Sequence, residues 1–180
     1  EGKGTLNSQF GSLDFVSGDY IVIPFGTTWK MDLDGPARFF VIETPSQIEA
    51  PKRYRNNYGQ MLEHAPYCER DIRLPENLET NTSRGEFEVR VKVRDNLSRH
   101  ILDYHPLDVV GWDGFLYPWI FSIHDFEPIT GRLHMPPPIH QTFAARNFVV
   151  CSFVPRLFDY HPEGIPAPYN HSNVNSDEMI

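Results

Sequence analysis

Cysteine is scarce in this sequence. Cys68 and Cys151 are the only two in 180 residues, and they form no CxxC pair. Neither a disulfide scaffold nor a zinc knuckle is supported, and a reduced, cytoplasmic setting is the default. Long apolar runs are missing too: none approaches the roughly 20 residues that a membrane span needs. Basic residues are the minority, 16 against 24 acids for a net charge of −8. That balance argues against nucleic acid as the main partner, because phosphate binding needs a basic face. Sixteen prolines and 12 glycines leave little room for long helices. No targeting pattern, repeat or low-complexity tract is present. What remains is enough for a core: 40% hydrophobic and 13% aromatic residues, in one domain or two small ones. The chain starts at Glu1 inside what reads as a strand and turn, and stops at Ile180 as an apolar run begins. An internal piece of a longer polypeptide is expected.

Short strands dominate the pattern. Leu13, Phe15 and Val16 lead into the turn signal Ser17-Gly18-Asp19, and Tyr20 to Ile23 is a short apolar strand ended by Pro24-Phe25-Gly26. Ala37 to Glu43 reads as a further apolar strand. Residues 45–85 interleave prolines with charges, which predicts an irregular connection packed over a barrel surface rather than free. Glu86 to Arg94 alternates strictly between polar and apolar, which predicts a strand with one face in water. Residues 111–133 hold an aromatic cluster with Trp112, Phe115, Trp119, Phe121 and Phe126, for which ordinary core packing is expected. Asn147 to Val154 is an apolar run that predicts a strand buried on both faces.

Gly18-x5-Pro24-x-Gly26 resembles the second motif of the cupin barrel. In metal-binding cupins a His and an Asn follow, and here Trp29 and Leu33 stand in those places. An indole does not ligate a divalent metal, so this motif holds none and Trp29 is expected to fill its barrel. Of eight histidines, two stand out. His171 sits in Pro168-Tyr169-Asn170-His171-Ser172-Asn173, with Asp177 and Glu178 close behind. Imidazole and carboxylate at that spacing are half of a two-His-one-carboxylate facial triad, or else a solvated surface loop. His134 precedes Pro136-Pro137-Pro138, whose stiff backbone holds a side chain in one place, as a general base requires. A capping histidine is the alternative, and His140 is a weaker candidate for the same role.

Gly111-Trp112-Asp113-Gly114, Tyr117-Pro118 and Phe126, followed by His134 and then Pro168 to Asn173, resemble the homogentisate 1,2-dioxygenase family. The likeness extends over essentially the whole chain and is closest to the shorter bacterial members. It implies an all-β fold, a cupin double-stranded β-helix of the bicupin kind. Residues 1–44 would be the C-terminal part of a first, metal-free barrel, 45–85 an irregular connection, and 86–180 the N-terminal part of a second, iron-binding barrel. It implies a non-haem Fe(II) site that opens a hydroquinone ring with O2, converting homogentisate to maleylacetoacetate. The substrate would be a small aromatic acid, and the subunits would form trimers or hexamers. His171 matches the first iron-ligand His, Tyr169 the tyrosine that lines the substrate pocket, and His134 the histidine that acts on the substrate hydroxyl. The family's carboxylate ligand is a Glu six residues after the ligand His. Asp177 is the sixth residue here and Glu178 the seventh, and Glu178 is preferred on the assumption of a one-residue insertion. The third protein ligand, a second His, is expected beyond residue 180. These 180 residues alone are therefore expected to be inactive and prone to aggregate. A metal-free cupin with a binding or structural role, and an Fe(II) dioxygenase for a related hydroxylated aromatic acid, are the competing readings.

Overall fold

The computed structural model describes residues 1–108, 116–128, 140–155, 172, 174 and 176–179. The described residues form ten strands and three short 3-10 turns, with no α-helix among them. The described residues are thus built of strands, as the pattern predicted. No barrel closes among the described residues; the strands form four separate sheets.

Strands β1 (Gly4–Ser8), β2 (Gly11–Phe15) and β4 (Trp29–Leu33) make an antiparallel sheet in the order β2-β1-β4. Alternate residues Leu6, Leu13 and Phe15 point inward and are buried. Strand β3 (Asp19–Val22) leaves that sheet and pairs instead with β8 (Trp119–Ser122), which also takes the two-residue strand β5 (Ile72–Arg73). β8 is the hub of the molecule. Its pleat sends Ile120 into a cluster with Leu6, Leu13 and Phe15. The next residue, Phe121, enters the opposite cluster with Tyr54, Tyr67, Phe126 and Phe143. Both β8 residues are 0% exposed. The aromatic cluster expected from the sequence is core packing wherever it is described.

Two glycines are fixed by close approach. Gly18, in the turn before β3, has φ +94°, and a Cβ there would meet His124 Nε2 at 2.8 Å. Gly11 has φ +113°, and a Cβ there would lie 2.3 Å from the Glu76 carbonyl oxygen. The turn at Pro24 and Gly26 closes as expected, with Thr27 N–H donating to the Pro24 carbonyl at 3.3 Å.

The connection is irregular and packed, but it lies on strand edges rather than on a barrel face. Glu76 exchanges two backbone hydrogen bonds with Ser12 at the edge of β2, at 2.7 and 3.0 Å. β5 pairs with β8. Glu49 exchanges two bonds of 2.9 Å with Ala144 of β9 (Gln141–Ala145). Farther along β9, the Tyr54 hydroxyl donates to the Gln141 carbonyl at 2.7 Å and the Tyr67 hydroxyl to the Thr142 carbonyl at 2.6 Å. β9 itself pairs with β10 (Phe148–Cys151). An ion pair adds to these contacts: Arg73 Nη2 lies 2.6 Å from the buried carboxylate of Asp19, which also accepts from Val16 N–H at 2.8 Å.

Four expectations are corrected. Residues 37–43 are extended but form no strand, because their ladder ends at Arg38, whose N–H and carbonyl both bond to Glu1. Beyond that point Phe40 and Val41 are exposed, and no strand pairs with them among the described residues. β10 is not buried on both faces: Val150 and Val154 pack on the core while Val149 and Phe153 are exposed. Two strands make a sheet with only one covered side among the described residues. Trp29 does not fill a barrel either; it lies half exposed at the end of β4, opposite Ser8. Finally, β6 (Arg84–Val93) forms a long hairpin with β7 (Asn96–Tyr104) and is exposed on both faces toward its tip, where one covered face was expected.

The hub predicts a sharp contrast. Phe121→Ala should lower unfolding stability by about 3–5 kcal/mol, through lost burial and a cavity. Phe25→Ala, at a side chain 80% exposed, should change it by less than about 0.5 kcal/mol. Denaturant titration of both variants measures the difference.

Candidate active site

The chemistry-bearing residues of the described structure gather at one end of the β9–β10 hairpin. His140 stands just before β9, buried, with its ring against Phe153 at a centroid separation of 4.7 Å. Its carbonyl oxygen accepts from Ser152 N–H at 2.8 Å and from the Thr142 hydroxyl at 3.4 Å. Thr142 and Ser152 share a short hydroxyl–hydroxyl bond, and Ser152 Oγ lies 3.0 Å from the Tyr20 hydroxyl. This buried chain of hydroxyls ties β3 to β9 and to the end of β10. Buried polar groups need such partners, and here each satisfies the next. His140 is thereby held in place from its main chain.

Cys151 ends β10 on the neighbouring register position, paired with Gln141. Burial pushes its thiol pKa up, and the carboxylate of Glu178 pushes it further. Glu178 itself is exposed. Both cysteines are free.

Of the residues singled out in the sequence, His134, Tyr169 and His171 lie outside the described residues. Glu178 and Asp177 are described and exposed. Among the described residues no group of three His, Cys, Asp or Glu side chains converges to hold a metal ion. The other described histidines serve locally. His105 packs edge-on against Phe87 at 4.8 Å and accepts from Leu107 N–H, while His100 lies 3.0 Å from Ser98 Oγ. A groove of about 830 Å³ lies elsewhere, between the polar face of the β2-β1-β4 sheet and residues 77–83. Asn7, Ser12, Lys30, Asp32 and His105 line it, and it is open to solvent.

Sequence reading missed Tyr54, Tyr67, Thr142 and Ser152. Tyrosines inside a proline-rich connection carry no periodic signal, and only the fold reveals that they end on β9. Burial pushes the Tyr67 phenol far above the ordinary tyrosine value and raises Tyr54 as well.

Comparison with known proteins adds a separate line. The family description "Homogentisate 1,2-dioxygenase N-terminal" matches residues 1–123. A protein of Saccharolobus solfataricus named "Putative dioxygenase" is 49% identical over 179 residues, covering 99% of this chain and 46% of that protein. The homogentisate 1,2-dioxygenase of Rhodopseudomonas palustris is 30% identical over 196 residues, covering 98% of this chain and 41% of its own length. That of Bradyrhizobium diazoefficiens is 26% identical over 194 residues, with 99% and 41% covered. The chain spans less than half the length of these relatives.

The raised phenols predict an alkaline limit to stability. An unfolded tyrosine ionises near the ordinary value of 10.0, whereas folded Tyr54 and Tyr67 stay protonated above it. The unfolded state then binds fewer protons, so stability falls as pH rises from that value toward the folded pKa values. Tyr67→Phe should flatten this fall. Below it the same variant should lose about 1–3 kcal/mol, because the buried Thr142 carbonyl loses its donor. Denaturant midpoints measured across pH 7–11 check both signs.

Proposed function

The chain belongs to the homogentisate 1,2-dioxygenase family, and we propose that it forms part of a ring-cleaving dioxygenase using ferrous iron and O2. The favoured reaction is homogentisate plus O2 to maleylacetoacetate, a step in tyrosine and phenylalanine catabolism. The observation that carries this reading is similarity along 98–99% of the chain to proteins named homogentisate 1,2-dioxygenase.

His171 and Glu178 would hold the iron, together with a further imidazole outside residues 1–180. Imidazole nitrogen and carboxylate oxygen are donors that ferrous iron takes. Glu178 is an exposed carboxylate whose charge adds to burial in raising the Cys151 thiol pKa. Iron supplies the one-electron chemistry that allows O2 to react with an aromatic ring. The chain's own residues do the rest. His134 takes or shares the phenol proton of the substrate, which raises electron density in the ring. Tyr169 would line the substrate pocket. The hydroxyl chain from Tyr20 through Ser152 to Thr142 keeps the end of β10 fixed.

The same proposal divides the chain as parts of two cupin barrels, 1–44 and 86–180, joined by residues 45–85. It places the subunits in trimers or hexamers, in a reducing cytoplasm where the free thiols Cys68 and Cys151 persist.

Trp29, in the position of a metal ligand, favours a second reading: a metal-free cupin with a binding role. A related hydroxylated aromatic acid is the other candidate substrate. Iron content of the intact polypeptide separates the first pair, and oxygen uptake with homogentisate against gentisate separates the second. His171→Ala should abolish stoichiometric iron. His134→Ala should keep iron and lower turnover by about 100-fold or more, the usual contribution of a positioned acid–base group. Wild-type turnover in His134→Ala would remove that residue from the mechanism.

A further inference from the structure

We draw no further inference here: the strongest candidate, the solvent-open groove between the polar face of the β2-β1-β4 sheet and residues 77–83, carries nothing because its side chains already bond to one another, Asn7 and Lys30 to Asp32 and Ser83 to Asn81, and no buried unpartnered polar group among the described residues lines it to show what would bind there.

Discussion

Two phenol hydroxyls, from Tyr54 and Tyr67, end on consecutive main-chain carbonyls of β9, and much of the architecture depends on such contacts. A β-strand at a sheet edge presents a row of unsatisfied polar groups, and burying it without partners is costly. Among the described residues β9 has a strand, β10, on one side only. On the other side the connection supplies Glu49 as a backbone partner and then the two tyrosines. The same connection meets β2 through Glu76 and β8 through β5. A segment with little regular structure of its own therefore holds three sheets together. Its tyrosines also carry their rings into the aromatic core around Phe121 and Phe143. Hydrogen bonding and burial are supplied by the same side chains.

That arrangement fixes the end of the β9–β10 hairpin, where His140, Cys151 and Ser152 lie. Thr142 uses its carbonyl for Tyr67 and its hydroxyl for Ser152, while Ser152 also reaches Tyr20. The hairpin end is thus anchored to β3, far away in sequence, and to the connection. A site that needs precise placement of a carboxylate gains from such support, because a side chain is only as well placed as the strand that carries it. The oxygenase reading rests on family membership.

The β6–β7 hairpin is the exception to edge protection. No part of the connection covers β6 along its length, although Glu43 reaches Lys92 by an ion pair. In place of cover, the strand carries alternating apolar residues and an ordered run of acids and bases. One physical demand, that strand edges be satisfied or guarded, thus has two answers in one chain: tyrosine and backbone caps on β9, charge on β6.

Much of the local structure was legible in the residues. Alternation in Glu86 to Val93 marked β6, and Gly18, Pro24 and Gly26 marked turns whose positive φ and lost donors demand those residue types. Family resemblance was legible in the Gly111-to-Gly114 and Pro168-to-Asn173 runs. Ala37 to Ile42 and Asn147 to Val154 misled, because apolar β-branched and aromatic residues report that a segment suits a strand, not whether a neighbour lies beside it or above it. β7 and β9 escaped notice for the converse reason: His, Arg, Gln and Thr give no apolar signal, yet backbone pairing needs none. Periodicity is a property of the segment, and the sequence by itself determined short strands, specific turns and the alternating strand β6. Pairing is a property of two segments brought together, so only the tertiary structure decided which edges are covered and that two tyrosines cover β9, since hydrogen bonds between distant residues leave no trace in the order of either.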